Sequence, residues 1–544
     1  MKILTADQMR RLDQRTVERA GIPFQQLMEA AGRQLADFLL RQIIPNLPDT
    51  ARAAPRISFL CGKGNNGGDA LVAARRLREQ KLELRMILFA PADSLKGDAR
   101  AAYDAFLKTG GKVDACSTQP EWERQRDDVL DCDVVVDGLL GTGLSGPVEG
   151  LLAGVIADVN ARRPRFRVVA VDIPSGLSSD SGDSIGESIE ADATLTFTAP
   201  KRGLIFPPNC LRAGRLAVAP IGTPEDLLSS DAELWLNLIV PRQFARLPLR
   251  RLATAHKGDY GHVLLVAGSR GKSGAAVLGG RAALRAGAGL ATVATAASAQ
   301  PMVAGQVPEL MTESLPETEA GTISRRAVDY GSFNQLAEGK TVVAFGPGLS
   351  THPETAQFVR SEVERLETPL VLDADALNAL VGQLDSLRKR RASLTVLTPH
   401  PGEMARLLGS TSAEVQKQRV EVAQNFARTY GLFVILKGFR TLVATPAGQV
   451  FVNPTGNPGM AAAGMGDVLT GIVAGVMAQW PSAPAEDVLS LAVYLHGRAG
   501  DLAAQALGEQ GLMASDVIEA LPRCWVELHQ TIERDRPGNI YLLP

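Results

Sequence analysis

The feature that most constrains the fold of this 544-residue chain is a series of short apolar runs, each followed by a helix-length stretch, that occurs twice. The first series reads RISFLCG, LELRMILFA, VVVDGLLG, FRVVAVDIPSG and ADATLTFTAP. Continuous apolar runs of this length suit strands covered on both faces. Helices between them supply the crossovers, so a doubly wound parallel α/β sheet is predicted. Around 223–230 the pattern lapses into the polar TPEDLLSS. Beyond residue 251 it resumes with HVLLVAG, LATVAT, TVVAFGPG, PLVLDADA, LTVLTP, LFVILKG and TLVATP. Two consecutive α/β domains are therefore expected, at 1–225 and 235–544, joined near 224–234. No similarity between the halves marks a duplication. The opening segment is predicted helical, with Thr5 as N-cap and Asp7 favourable in the first turn.

Lys and Arg number 57 against 59 Asp and Glu, a formal charge of −2. That balance gives no footprint for nucleic acid or an anionic membrane. The five cysteines are scattered and form no C-x-x-C pair, which argues against a disulfide framework or structural zinc and for a reducing, cytoplasmic compartment. The N-terminal segment has no hydrophobic core of a signal peptide, and the weakly polar stretch 468–478 is too short to cross a bilayer. Glycine is abundant, 53 residues, while aromatics reach only 5%. Such a composition suits a backbone that must be approached closely.

In the first half, the strand 56–60 runs into Cys61-Gly62-Lys63-Gly64-Asn65-Asn66-Gly67-Gly68-Asp69 and then a helical stretch. A glycine-rich strand-to-helix turn either exposes N–H groups that suit a phosphate or makes a tight connection capped by Asp69. The spacing is not G-x-G-x-x-G. Asp137-Gly138-Leu139-Leu140-Gly141-Thr142-Gly143-Leu144-Ser145-Gly146-Pro147 and Asp172-Ile173-Pro174-Ser175-Gly176 each follow an apolar run. They place oxygen-bearing side chains at strand carboxyl ends, where open α/β sheets bind ligands. Oxygens of Asn66, Asp137 and Ser175 suit a hard monovalent or divalent cation.

In the second half, Gly268-Ser269-Arg270-Gly271-Lys272-Ser273 invites a P-loop reading, but position 266 is valine where a Walker A loop needs glycine. The small residues of AAVLGGRAALRAGAG point to very close packing or ligand approach. The sharpest signal is Asn457-Pro458-Gly459-Met460 leading to Gly464-Met465-Gly466-Asp467 and VLTGIVAGVMAQ. A Gly-x-Gly-Asp turn opening a helix offers an anion hole with a carboxylate placed as base, as in ribokinase-type phosphotransferases. Its companions FGPGL (345–349), LDADALN (372–378), TPHPGE (398–403) and LKG (436–438) also stand at strand ends. Asp375 reads as structural, bonding N–H groups of its own turn.

GNNGGD, DGLLGTGLSGP and VDIPSG resemble, in order and spacing, the NAD(P)H-hydrate epimerase domain (the YjeF N-terminal family) over about 10–220. With HKGDYGHVLLVAGS (256–269), the second set resembles the ADP-dependent NAD(P)H-hydrate dehydratase domain (the YjeF C-terminal family) over about 240–525. The resemblance implies a Rossmann-like three-layer sandwich followed by a ribokinase-like α/β domain. The expected activity is bifunctional repair. The first domain epimerises R- and S-NAD(P)HX, and the second dehydrates the S form to NAD(P)H at the expense of ADP, giving AMP and phosphate.

The resemblance also implies site residues. Asn65, Asn66, Gly67, Gly68, Asp69, Gly141, Thr142, Gly143, Leu144, Ser145, Gly146, Pro147 and Asp172 contact the hydrate in the epimerase. Asn66, Asp137 and Ser175 hold K+, and Asp172 is the candidate for acid–base work. Ala275, Gly348, His400 and Asp467 contact the hydrate in the dehydratase, with Asp467 as base. Lys437, Gly438, Phe439, Arg440, Thr441 and Gly466 contact the adenine nucleotide, with Mg2+ expected on its phosphates. His400, between two prolines, also has a reading as a residue that orients its loop. A homo-oligomer, tetramer or larger, is expected. The rival is a ribokinase-superfamily kinase of a vitamin precursor or sugar with an N-terminal binding or scaffold domain.

Overall fold

The structure, a computed structural model, describes every residue except 330, 535–538 and 544, and omits the side chain of residue 50. It divides into two compact units, one of Met1–Leu234 with Arg536–Pro544 and one of Trp235–Asp535.

The strands of the first unit are β1 (Arg56–Cys61), β2 (Glu83–Leu88), β3 (Asp114–Ala115), β4 (Val134–Gly138), β5 (Arg167–Val171), β6 (Ala193–Phe197) and β7 (Arg215–Ala219). The second unit has β8 (Leu236–Leu238), β9 (His262–Val266), β10 (Leu290–Ala296), β11 (Met311–Leu315), β12 (Val342–Phe345), β13 (Leu370–Leu372), β14 (Thr395–Leu397), β15 (Phe433–Leu436), β16 (Leu442–Ala444) and β17 (Val450–Val452). A last strand, β18 (Tyr541–Leu542), pairs antiparallel with β7. The C-terminal strand thus joins the first unit's sheet, whereas the sequence reading gave everything beyond 235 to the second domain. Two residues on a sheet edge carry no periodic pattern that would announce them.

The first sheet runs β18-β7-β6-β5-β4-β1-β2-β3, parallel from β7 to β3. Its central strands, β1, β4, β5 and β6, are buried on both faces. Ile57, Phe59 and Cys61 pack with Ala31, Leu35, Val72 and Phe106 in one core. Leu60 and Val135 pack with Trp122, Val155 and Val159 in another. Helix, sheet, helix is therefore the layering, because each run had to be apolar throughout. The N-terminal helix Ala6–Ala20 begins at Thr5, whose hydroxyl accepts from the Gln8 N–H in a capping box.

The second sheet runs β11-β10-β9-β12-β13-β14-β15-β16-β17-β8, parallel from β11 to β15. The run TLVATP folds back instead as β16, antiparallel to β15. The stretch 468–478 lies in the buried helix Met465–Gln479, and no described helix is long and apolar enough to cross a membrane. That helix packs on Ser273–Arg285 so closely that a Cβ on Gly471 would stand 2.1 Å from the Gly279 carbonyl oxygen. The buried small residues of Ser273–Arg285, Ala276, Gly279, Gly280, Ala282 and Ala283, therefore serve packing.

Candidate functional site

In both sheets the chain winds outward from a central strand, returns, and winds the other way, so the order reverses between β1 and β4 and again between β9 and β12. A crevice opens at such a reversal, beyond the strands' carboxyl ends.

In the first unit the Gly62 N–H donates to the Gly138 carbonyl at 2.9 Å, tying the loops after β1 and β4 together. The approach admits only glycine, since a Cβ on Gly62 would fall 1.8 Å from the Leu139 oxygen. A cavity of about 670 Å³ lies here, lined by Gly62 to Gly67, Leu139 to Leu144 and Phe89. It takes in Asn65, Asn66, Gly67, Gly141, Thr142, Gly143 and Leu144. Gly68, Asp69, Ser145, Gly146, Pro147 and Asp172 stand off this lining. Asp69 is no cap: Gly64 precedes the helix Asn65–Glu79, and Asp69 lies a turn inside it.

Asn66, Asp137 and Ser175 converge. The Asn66 amide donates to the Val171 carbonyl at 2.6 Å and the Leu140 carbonyl at 3.1 Å. Asp137, fully buried, accepts from the Ser175 hydroxyl at 2.6 Å, the Ser175 N–H at 2.8 Å and the Leu139 N–H at 3.3 Å. Burial pushes its carboxyl up to about 6, and only neutral donors oppose that shift. An all-oxygen cluster around an uncompensated buried carboxyl fits a hard cation.

Asp172 has a left-handed backbone, φ 64°, which a non-glycine residue adopts at some cost. Its Oδ1 accepts from the Thr196 hydroxyl at 2.9 Å and the Phe197 N–H at 3.2 Å, and pairs with the ammonium of Lys201, a residue only 1% exposed. The chain start is tied to the same segment, the Leu4 N–H donating to the Pro200 carbonyl at 3.0 Å and the Arg202 N–H to Leu4 at 2.9 Å. That lays the helix Ala6–Ala20 by Lys201, and Asp13, within electrostatic range of both Lys201 and Asp172, is raised to about 6, chiefly by burial. Neither Lys201 nor Asp13 was legible as a site residue. Lys201 follows TFTAP without a motif, and Asp13 sits among the charges of an amphipathic helix.

In the second unit the Gly268 N–H donates to the Pro347 carbonyl at 2.8 Å and the Ser269 hydroxyl to the Gly348 carbonyl at 2.7 Å. Gly348, at φ 67°, is brought against Ala275, where a Cβ would lie 3.2 Å away. The remaining groups gather beyond β13, β14 and β15. Asp373, 1% exposed, accepts from the Lys437 ammonium at 2.7 Å on one oxygen and from the Thr470 hydroxyl at 2.7 Å on the other. Lys437 also stands 3.6 Å from Glu403. Gly466, in the first turn of Met465–Gln479, abuts this pair: a Cβ there would be 3.3 Å from the Lys437 Nζ. Asp467 is pushed up to about 6, first by burial and then by Asp373, against the pull of Lys437.

His400 caps the helix Pro401–Leu408, its Nδ1 accepting from the Gly402 N–H at 3.0 Å and the Glu403 N–H at 3.3 Å, so the ring does orient its loop. Burial first, offset in part by Glu403, holds its pKa below the ordinary histidine value. Arg419 braces the 437–441 loop through the carbonyls of Phe439 at 2.6 Å and Leu436 and Lys437 at 3.3 Å. Phe439 is left half exposed, Arg440 stacks on it, and Thr441 donates to the Gly438 carbonyl at 2.9 Å. Asp375 is structural in a different way from the one expected. Its Oδ2 accepts from the Ser350 N–H at 2.7 Å, in the neighbouring loop rather than its own turn. Asp373, Glu403 and Thr470 went unassigned although two of them sit inside DADALN and TPHPGE, because nothing in the sequence says which carboxylate Lys437 will meet.

Paired charges, strained non-glycine backbones at strand ends and a Gly-x-Gly-Asp helix start define a fused pair of small-molecule α/β enzymes. The family described as YjeF-related protein N-terminus matches residues 24–203, and the family described as NAD(P)H-hydrate dehydratase matches 263–523. The chain is 44% identical over 98% of its length, and 98% of the relative's, to the bifunctional NAD(P)H-hydrate repair enzyme Nnr of Moorella thermoacetica. It is 38% identical, with the same coverage of both chains, to that of Thermofilum pendens. A solved ADP/ATP-dependent NAD(P)H-hydrate dehydratase from Bacillus subtilis, co-crystallised with ATP and Mg2+, is 32% identical, covering 54% of this chain and 98% of that one with a TM-score of 0.47. The chain belongs to the bifunctional NAD(P)H-hydrate repair enzyme family.

Proposed function

We propose that the first unit interconverts the R and S forms of NAD(P)HX and that the second converts the S form to NAD(P)H with ADP as phosphoryl donor. What carries this reading is the match along 98% of the chain to relatives named for hydrate repair. Fusion is chemically sensible, because a dehydratase for one epimer leaves the other to accumulate.

In the dehydratase, Asp467 takes the proton of the ring hydroxyl as the oxygen attacks the terminal phosphoryl of ADP. The free N–H groups at the start of Met465–Gln479 and the Lys437 ammonium face the charge that develops there. The ring nitrogen lone pair then expels phosphate, and loss of a proton from the adjacent carbon restores the dihydronicotinamide. The 437–441 loop and Gly466 receive the nucleotide, while Ala275, Gly348 and His400 receive the hydrate. The carboxylates gathered about Lys437, those of Asp373, Glu403 and Asp467, are the hard oxygen donors that would suit a Mg2+ brought by the nucleotide. When bound, it neutralises phosphoryl charge.

In the epimerase, residues 65–69 and 141–147 hold the hydrate, and Asp172 exchanges its proton. Asn66, Asp137 and Ser175 would hold K+, which would supply positive charge beside the buried Asp137 carboxyl. The chain acts in the cytoplasm, in keeping with its five free cysteines, and as a homo-oligomer. Supplying S-NADHX with ADP tests the dehydratase. We expect NADH, AMP and phosphate in equal amounts; a stable phosphorylated hydrate would make the second unit a kinase instead, and NADH without AMP would remove the phosphorylation step.

A further inference from the structure

The first unit holds a titratable group to which the reading above gives a contact with the hydrate but no chemistry. Asp69, on the helix Asn65–Glu79, is 7% exposed, yet no described residue donates a hydrogen bond to its carboxyl. Its oxygens are not sealed from solvent, so the carboxyl is unbonded by the protein yet open to a ligand. Asp172, Lys201 and Asp13 are all within its electrostatic range. Of these, Asp172 has the only carboxylate locked in place: three donors crowd its Oδ1, while no described residue donates to Oδ2. Asp13 contributes a second orphan, its Oδ1, which is buried without a partner. The cluster therefore pairs one pinned carboxylate with one unpinned carboxyl, and both have polar atoms with nothing in the protein to meet.

We propose that Asp69 is the second catalytic residue of the epimerase, giving a proton to the departing ring hydroxyl while Asp172 takes one from the incoming water, with Lys201 as the positioning residue that fixes Asp172. This rests on the epimerase reading. The neutral Asp69 carboxyl protonates the hydroxyl, the C–O bond breaks, water leaves, and the ring nitrogen lone pair forms a C=N bond. Water then bonds to the same carbon from the other face, the π pair returns to nitrogen, and the proton shed by oxygen passes to the free Oδ2 of Asp172. The two carboxyls have exchanged one proton, which is the state the reverse inversion requires, so no external acid, base or redox partner is consumed. Burial first, then Asp172, holds the Asp69 carboxyl well above the usual range, with Lys201 pulling the other way and Asp13 adding to the rise. Burial and the neighbouring carboxylates thereby favour the neutral acid form.

The test follows R-to-S conversion of NADHX by chromatography with the full chain, ADP omitted, across pH. Asp69→Asn is expected to lower kcat by about 10²–10⁴-fold with KM little changed, the size of an acid–base contribution. The wild-type rate is expected to fall as pH rises through the Asp69 titration, a limb that persists in Asp13→Asn and is absent from Asp69→Asn. Lys201→Met is expected to cut kcat rather than KM, with Lys201→Arg recovering part of it. Wild-type kcat in Asp69→Asn, or a loss confined to KM, overturns the proposal. Should Asp69→Asn fail to fold, the limb decides: its absence from wild type, or its loss in Asp13→Asn, overturns the proposal, and its presence in both supports it. A wild-type chain that does not interconvert the epimers defeats the epimerase reading instead.

Discussion

The two units are wound on the same plan and carry the same pair of parts, put to opposite use. Each has a buried lysine–aspartate ion pair at its strand ends, Lys201 with Asp172 and Lys437 with Asp373. Each sets beside that pair an aspartate displaced upward, Asp69 in the first unit and Asp467 in the second. The difference is placement. Asp467 lies in the first turn of its helix, and with Lys437 opposing the rise its pKa reaches about 6. Asp69 lies one turn inside its helix, more deeply buried, and is raised well above the usual range. One residue type thus serves as a base where it is third in its helix and as an acid where it is fifth and more deeply buried.

The sharpest way to break this comparison is Asp467→Asn. Dehydration of S-NADHX should fall by about 10²–10⁴-fold while epimer exchange in the same chain stays at wild type. A dehydratase that keeps its rate would take the base away from the second unit. Lys437→Met strands Asp373 as a buried charge, so chemical denaturation of the second unit should register a loss of about 3–5 kcal/mol. An effect below about 1 kcal/mol would mean that the pair is solvated and unlike Lys201–Asp172.

The pH response sharpens the contrast. Asp467 must be ionised to act, and its pKa is raised to about 6, so kcat/KM of the dehydratase should climb as pH rises through about 6. The opposite slope is expected for Asp69 as an acid. Gly471→Ala tests packing rather than chemistry: a Cβ 2.1 Å from the Gly279 oxygen should cost about 1–3 kcal/mol, read as a lower melting temperature of the second unit. Smallest of all, Asp375→Asn weakens one bond to the Ser350 N–H and should change dehydratase KM by less than about tenfold, within the worth of a charged hydrogen bond.

The repeated alternation of strand and helix and the positions of the two sets of loops were legible because they rest on local signals: continuous apolar runs, glycines where backbones touch, an aspartate behind Gly-x-Gly. Asn66, Asp137 and Ser175 were legible as an oxygen cluster because each stands at a strand's end. What escaped is non-local. Lys201, Asp13, Asp373 and Thr470 gain meaning from partners 29 to 188 positions away, and no periodicity encodes that Lys201 Nζ will reach Asp172 or that Thr470 will reach Asp373. Asp69 was visible inside GNNGGD, but its chemistry depends on the lack of a hydrogen-bond partner, which a sequence does not state. The run TLVATP did not state that β16 is antiparallel, and β3, β7, β8, β11, β17 and β18 were missed because they lie outside the continuous apolar runs.

The central claim is that one chain performs two sequential steps with two separable acid–base sets. A mixture of R- and S-NADHX with excess ADP measures it directly, on a timescale short against spontaneous epimer exchange. The wild-type chain should return the whole mixture to NADH, Asp172→Ala should stop at the S fraction, and Asp467→Asn should return none. Wild-type conversion that halts at the S fraction, or Asp172→Ala that proceeds to completion at the wild-type rate, would contradict it.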